Sequence, residues 1–361
     1  MRPPFQVIDS DGHINEPEEI IATYMPPPYD QYLHAWKTNA EGVVYSNNTL
    51  VPKQPGMDPT MGGTLGTNGP PGFPFPSDWL AIMDEAGVEK TYLYPTAFLP
   101  YSMMVDPDYT VAVTQAYNSF IHDHWLQVDG RFGAVAVMPL IDPEESAKEL
   151  RRSVTELGFA GAFTPAVGYG LLGRKQNRPF FAEAQDLDTT VAIHGGHATA
   201  EYIPYTRFIQ RHAVGFPVSQ IIQMTSLVLE GIFELFPDLR VAFLEAGCTW
   251  VPYMLDRLDE EWELRGKVEA PNCKRPPSEY LRGSNVFVHL EPDEKLLPQT
   301  VEILGDDVLV YASDWPHWDN DFPNSIDHIW EREDLTEGQK RAILRDNPLA
   351  MYGVGAPEGD A

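Results

Sequence analysis

The sequence predicts an α/β chain closed into a barrel of eight parallel strands alternating with helices, a (β/α)8 TIM barrel, and three observations predict it. Eight short apolar runs are spread along 361 residues. Most lack polar alternation, as strands buried on both faces of a parallel sheet do. Capped helical patterns lie between many of them. The length suits one barrel with insertions, so residues 1–361 read as a single domain.

The strands, in order, read FQVI (5–8), TYLYP (91–95), FGAVAVMP (132–139), FAGAFT (159–164), TTVAI (189–193), VAFL (241–244), NVFVHL (285–290) and VLVYA (308–312). The first helical pattern, 77–88, opens with Ser77 as its N-cap and ends at Gly87. A long one follows at 106–127. The pattern at 142–158 starts with acids and stops at a glycine, as capping and the helix dipole favour. Residues 219–237 precede the sixth strand and 249–266 follow it. The last helices run from about 323 to 346. An open doubly wound sheet is the rival architecture, but no strand is followed by G-x-G-x-x-G or a Walker-type loop. Residues 26–76 interrupt the first β/α unit with MPPPYD and GTNGPPGFPFP. So long a loop reads as a lid or oligomer arm, with surface padding as the alternative.

Composition narrows the partners. Lys+Arg 25 against Asp+Glu 53 gives a formal charge of -28. Nucleic acid and anionic membrane both need a positive footprint, so neither is expected. A small-molecule substrate is. Two cysteines, Cys248 and Cys273, make no disulfide framework. MRPPFQVID has no signal-peptide apolar stretch, and no apolar run approaches a bilayer span. The reading is a cytoplasmic protein.

The chemistry gathers at strand ends. Asp9, Asp11 and His13 follow one another at two-residue spacing, so in a strand they share a face. Barrel active sites sit at the carboxyl ends of the strands, and a divalent cation is the natural partner of buried carboxylates. A capped Asp-Gly turn would explain the same residues. Other strand ends strengthen the metal reading. AIHGGH places His194 at the rim and His197 beyond it. FLEAG supplies Glu245, VHLEP supplies His289 and Glu291, and YASDWPHWD supplies Asp314, His317 and Asp319. Imidazoles with carboxylates suit Zn, Mn or Fe, one or two ions per chain. His212 is a pocket candidate too. His122 and His124 read as structural helix residues. Cys248 reads as a small buried side chain before a nucleophile. Trp250, Trp315 and Trp318 either line the pocket or pack helices on the barrel.

D-x-D-x-H after strand one, HGG after strand five and S-D-x-P-H after strand eight resemble the amidohydrolase superfamily, in its amidohydrolase-2 branch. FPDLRVAFLEAGCTWVPYMLDRLD, YASDWPHWDNDFP and DNPLAMYG are similar to it as well. That branch includes aminocarboxymuconate-semialdehyde and resorcylate decarboxylases alongside hydrolases. The resemblance implies that Asp11 and His13 form the first-strand ligand pair, with Asp11 in place of a histidine. It implies His194 and Asp314 as further ligands, Asp314 also as a proton acceptor, and Asp9 as a supporting residue. Two departures stand out. Glu245 occupies the place where the decarboxylases carry a working histidine. FTPAV at strand four offers no lysine for a bridging carbamate.

The main expectation is therefore a metal-dependent hydrolase of C–N or C–O bonds in a small organic substrate. Asp11, His13, His194 and Asp314 hold the metal there, and Asp314 or Glu245 takes the water proton. The catalytic set is Asp314, Glu245 and His317; Glu245 and His317 also extend the ligand set. His197, His212, Glu291 and Trp315 line the substrate pocket. The alternatives are a non-haem di-iron monooxygenase on the same fold, a non-oxidative decarboxylase, and a non-catalytic, metal-retaining partner subunit. A homo-oligomer, or a hetero-oligomer with a related barrel, is expected.

Overall fold

The structure is a computed structural model. It describes residues 2–31, 44–46, 49–51, 74–96, 98–99, 101, 104, 106–195, 205, 208–283 and 285–354. Most of the 26–76 insertion, and with it the lid or arm reading, lies outside the described residues. So does His197.

The strands are β1 (Val7–Ile14), β2 (Val44–Ser46), β3 (Thr49–Val51), β4 (Val88–Pro95), β5 (Phe132–Val137), β6 (Gly161–Pro165), β7 (Thr190–His194), β8 (Arg240–Leu244), β9 (Val286–His289) and β10 (Leu309–Val310). β2 and β3 form an antiparallel pair inside the insertion. The other eight form one sheet in the order β1-β4-β5-β6-β7-β8-β9-β10. Its paired neighbours are parallel throughout. Each run picked out by its apolar residues is a barrel strand. β1 extends further than expected, so Asp9, Asp11 and His13 lie within it. The sheet closes on itself where the end of β1 meets the chain beyond β10. Ser10 N–H donates to Tyr311 O (3.1 Å), Asp314 N–H to Asp11 O (3.0 Å) and His13 N–H to Trp315 O (2.7 Å).

The helices are α1 (Glu18–Ile21), α2 (Pro76–Ala86), α3 (Pro107–Ile121), α4 (Pro143–Thr155), α5 (Arg178–Asp186), α6 (Phe208–Leu229), α7 (Ile232–Leu235), α8 (Val251–Glu269), α9 (Pro277–Leu281), α10 (Leu297–Leu304), α11 (Asn324–Trp330), α12 (Glu337–Arg341) and α13 (Asn347–Met351). Asp142 caps α4 as acids at an N-terminus should, accepting from the Glu144 and Glu145 amides. Two boundaries differ from expectation. Ser77 does not cap α2, because Pro76 takes the first helical position; instead Asp78 accepts the Phe75 N–H at 2.9 Å. α6 starts at Phe208, well before Ser219, and runs through Pro217. Packing holds it there. Phe216 lies against Gly195, and Gln220 donates to the Ile193 and Leu244 carbonyls across β7 and β8. Among the described residues no helix is long and apolar enough to cross a membrane.

The barrel interior is packed. Ala134, Ala136, Ala162, Ala192 and Ala242 alternate with Val135, Phe163, Ile193 and Phe243, all buried. At the start of β7 and β8, the end of α13 closes the barrel. Tyr352 stacks on Tyr92 at 3.5 Å between ring centroids, and its hydroxyl donates to Ser10 O (2.7 Å). Tyr94 and Phe163 each place a ring 5.7 Å from that of His194, forming a floor for the opposite end.

Candidate metal centre

At the carboxyl ends of the strands six titratable side chains converge. Asp11 and His13 come from β1, His194 from the last position of β7, Glu245 from the residue after β8, and Asp314 and His317 from the loop after β10. Asp11, His13 and His194 are almost wholly buried. His13 Nε2 lies 3.3 Å from Asp11 Oδ1 and 3.3 Å from Asp314 Oδ1. His194 Nε2 lies 3.4 Å from Asp11 Oδ2, and its Nδ1 3.1 Å from Glu245 Oε2. His317 Nδ1 is 2.6 Å from Asp314 Oδ1 and 3.6 Å from Glu245 Oε1. Its ring lies against that of His13, with centroids 3.9 Å apart and the planes tilted by 33°.

The local backbone is built for this convergence. Glu245 and Asp314 have φ of 58° and 53°, a left-handed conformation that costs a side-chain-bearing residue roughly 1–3 kcal/mol. Both strand ends thereby turn a carboxylate inward. After His194 only a glycine fits, because a Cβ on Gly195 would lie 2.7 Å from both Glu245 O and the Phe216 ring.

A test of metal compatibility follows from hydrogen bonding. His13 Nδ1 and His194 Nδ1 lie 2.9 Å from the carbonyls of Pro95 and Gly195, so each donates its proton there. In the neutral rings the Nε2 atoms then carry lone pairs, and they face the Asp11 carboxylate, which is itself an acceptor. Asp11 Oδ1, His13 Nε2, His194 Nε2 and Glu245 Oε2 are buried without a hydrogen-bond partner. Acceptors facing acceptors in a buried site call for a cation, and this donor set fits a divalent transition metal. Two overlapping groups fit, each with its donor atoms within 4.8 Å of one another: Asp11, His13 and His194; and His13, Glu245, Asp314 and His317.

The pKa shifts tell the same story in protons. Burial would raise Asp11, but His194 and His13 outweigh it and hold the carboxyl below its ordinary value. Burial would lower His13 and His194; Asp11 and Asp314 drive the first well up, Glu245 and Asp11 raise the second. Burial also opposes the charge on Asp314, yet His317 and His13 keep it below the carboxylate range. For His317, burial is outweighed by Asp314, and its pKa rises to about 9. Such a cluster holds positive charge among its carboxylates, and metal binding to it would release protons.

Around the cluster stand Asp9, already singled out by its spacing in the sequence, and several residues with no sequence signal of their own. Asp9 accepts from Thr91 Oγ1 (2.7 Å), Ser313 N (2.7 Å), Ser313 Oγ (2.8 Å) and Asp11 N (3.3 Å), and so ties β1 to β4 and to the chain after β10. Burial pushes its carboxyl up to about 6 against the pull of those bonds. Trp79 donates to His13 O and fills the space beside Gly12, where a Cβ would lie 2.5 Å from its ring. Glu294 accepts from the amides of Cys248, Thr249 and Glu291 and from the Cys248 thiol, which shapes the loop that follows Glu245. Thr96 Oγ1 lies 3.2 Å from His317 Nε2.

The other sequence candidates fall outside the cluster. His212 stands beside Asp319, with Nε2 to Oδ2 at 3.4 Å. Glu291 is exposed, and Trp318 is 48% exposed. Trp315 packs edge-on to Trp79 at 4.6 Å and near Phe322. Trp250 donates to Gly247 O, and His289 Nδ1 accepts the Glu245 amide. His122 bonds Leu157 O and His124 stacks on Phe120. Cys248 is fully buried, and burial with Glu294 pushes its thiol far above the ordinary range.

A parallel barrel with imidazoles and carboxylates gathered at its strand ends defines a metal-dependent barrel enzyme. The chain belongs to the amidohydrolase family (Amidohydro_2), which it matches over residues 8–354. Gamma-resorcylate decarboxylase of Rhodococcus jostii is 25% identical to it over 295 residues, covering 76% of this chain and 86% of that one. An amidohydrolase from Mycobacterium avium subsp. paratuberculosis has the same fold, with a TM-score of 0.80 over 97% of this chain and 100% of its own, at 19% identity. So does 5-carboxyvanillate decarboxylase of Novosphingobium aromaticivorans, at a TM-score of 0.72 and 20% identity over 97% and 96% of the two chains. That enzyme was solved with manganese and 4-hydroxy-3-methoxy-5-nitrobenzoic acid.

Proposed function

We propose that the protein is a metal-dependent, non-oxidative decarboxylase of a small aromatic or conjugated carboxylic acid. The main expectation from sequence was hydrolysis; the decarboxylases among the relatives support the alternative better. The observation that carries the reading is the placement of His317. Decarboxylation needs a proton donor beside the carbon that loses its carboxylate. Sequence showed Glu245 where a working histidine was due. In space an imidazole stands beside that glutamate all the same, because His317 reaches in from the loop after β10.

Asp11, His13, His194 and Asp314 would hold the ion, which is manganese in the structure of the carboxyvanillate relative. Zn and Fe suit the same donors. When bound, such an ion supplies Lewis-acid polarisation of the substrate's acid group and its neighbouring oxygen. The chain's own residues do the rest. His317 Nδ1 faces the Asp314 and Glu245 carboxylates, both acceptors, and so holds a proton at that atom. As the bond between ring carbon and carboxylate breaks, CO2 leaves, its bonding electrons stay on the carbon, and the proton from the His317–Glu245 pair completes a C–H bond. Burial of Asp11, His13, His194 and His317 limits the access of competing water. The test is CO2 release by manganese-loaded protein from 2,6-dihydroxybenzoate and related aromatic acids in D2O. One deuterium should appear at the vacated carbon, without O2 uptake. Hydrolysis products with no CO2 from any acid would defeat the reading.

A second reading follows from the two donor groups that share His13. They could hold two ions, and a carboxylate-rich pair favours O2 chemistry. Metal analysis separates the readings. About one ion per chain supports decarboxylation, whereas about two irons with O2 uptake would support the oxygenase.

A further inference from the structure

Away from the strand-end cluster, a second place for a ligand lies between α6 and α8. A cavity of about 440 Å³ is lined there by residues of both helices and by Leu171 from the loop after β6. None of its lining residues belongs to either metal-donor group. Its volume falls in the range that holds small molecules, roughly 300–1,000 Å³.

Close contacts fix its walls. Trp262 and Gly266 stand one turn apart on α8, and a Cβ on Gly266 would lie 2.5 Å from the indole ring. Glycine weakens a helix interior, but here it leaves the ring room to lie against the helix. The indole N–H donates to Cys273 O at 2.9 Å, which holds the ring in place. The loop after β6 is tied to α6 in turn. Gln223 accepts the Leu172 amide at 2.9 Å and donates to Ala166 O (2.9 Å) and Gly170 O (3.0 Å), while Ser226 Oγ accepts the Gly173 amide at 3.0 Å. The cavity is therefore preformed, and a ligand need not order its walls.

The lining selects for positive charge. Leu171, Leu229, Trp262 and Ala270 supply apolar surface, and the charged side chains are Glu230, Glu261, Glu269 and Arg265. Arg265 pairs with Glu269 along α8, and Glu261 accepts from Arg257 at 3.0 Å. Glu230 is exposed and has no ion-pair partner among the described residues. A carboxylate ligand would meet three acids against one base. An ammonium gains the attraction of Glu230 and, over the indole, a cation–π contact, for which Trp is the best aromatic partner. The chain's formal charge of -28 favours the same sign.

We propose that this cavity binds a small organic ammonium ion, its apolar body against Trp262, Leu171 and Leu229 and its charge met by Glu230. The site needs neither the metal nor the acid group of a substrate, so it stands independently of the decarboxylase reading.

Three molecules of one shape test the charge rule: 2-phenylethylammonium, 2-phenylethanol and 3-phenylpropionate. The readout is local, the indole N–H resonance of Trp262 in zinc-loaded protein labelled with nitrogen-15 tryptophan, identified by its loss in Trp262→Phe. The ammonium should shift that resonance saturably and bind about fivefold more tightly than the alcohol, with the advantage shrinking as salt is raised. Phenylpropionate should leave it in place, even where it binds the metal cluster. Glu230→Gln should bring the ammonium's affinity down to that of the alcohol without changing the thermal midpoint, since Glu230 is exposed and unpaired. Gly266→Ala should displace the ring and remove the response; should it fail to fold, Glu230→Gln still decides. A Trp262 resonance that ignores the ammonium, a response to phenylpropionate of equal affinity, or wild-type affinity in Glu230→Gln overturns the inference.

Discussion

The two ends of this barrel bury polar groups in opposite ways. Near the closed end, Asp9 is as buried as any core residue and has four donors on its carboxylate. Tyr352, from the end of α13, bonds both Ser10 O and the Tyr94 hydroxyl at 2.7 Å. At the other end, two residues further along β1, Asp11 faces two imidazoles with an oxygen that has no hydrogen bond. A fold that satisfies Asp9 so fully could satisfy Asp11 by the same means. That it leaves four such atoms unsatisfied in one cluster, one of them on the strained Glu245, marks the difference between polar groups that hold the barrel and polar groups kept for a ligand.

The largest effect should come from breaking the unsatisfied end. His194→Ala, or chelation of wild-type protein, should abolish activity and bring metal content, by elemental mass spectrometry, to background. The His194→Ala protein should also lose some stability, because the substitution removes the buried Nδ1–H bond to Gly195 O and leaves space beside Tyr94 and Phe163. A variant that keeps a full complement of metal would erase the distinction between the two ends.

Glu245→Gln comes next. It keeps shape and removes charge. Under the decarboxylase reading the metal stays and the rate falls by roughly 10²–10⁴, the worth of a general acid–base group. Loss of metal along with rate would make Glu245 a ligand and shift support to the two-ion reading.

Asp9→Asn sharpens the comparison from the satisfied side. It puts an amide N–H where donors already point, leaving at least one buried group unpaired at about 1–3 kcal/mol. Since Asp9 binds the amide of Asp11, metal affinity should also drop, by about 10–100-fold as for other supporting residues. Tyr352→Phe should cost less, about 1 kcal/mol of stability by denaturant titration, and leave metal content alone.

How much of this was legible in the sequence depends on what each residue does. The eight barrel strands were visible because strands buried on both faces have no polar interruptions to disguise them. Asp11, His13, His194, Glu245, Asp314 and His317 were visible because acids and imidazoles at the ends of apolar runs have no core role to play. Their partners were not. Ser313, Thr91 and Thr96 are ordinary hydroxyl residues, and Glu294 sits in a stretch, EPDEK, that looks like charged surface. Each acquires its role only when the chain brings distant residues together, as Ser313 and Asp9 are brought. The start of α6 was hidden by Pro217, a reliable breaker in sequence that packing against Gly195 overrides.

The smallest effect should come from Cys248, which tests whether the comparison concerns hydrogen-bond satisfaction or merely position. Cys248 stands at the active end, three residues after Glu245, and a thiol beside a metal cluster invites a nucleophilic role. Its surroundings argue otherwise. It is fully buried, its thiol donates to Glu294 at 3.0 Å, and the same carboxylate accepts its amide. Burial first, and then the Glu294 charge, raise its pKa far above the ordinary thiol value, so no thiolate forms at neutral pH. Cys273 is buried as well and raised to about 11, chiefly by burial. In the folded protein at pH 8 neither thiol should react with a disulfide reagent, and both should react once the chain is unfolded in denaturant. Cys248→Ser keeps a donor to Glu294 and should leave metal content and turnover near wild type. Rapid alkylation of native Cys248 with loss of turnover would place it among the reacting groups, and satisfaction would then no longer separate structure from function at this end of the barrel.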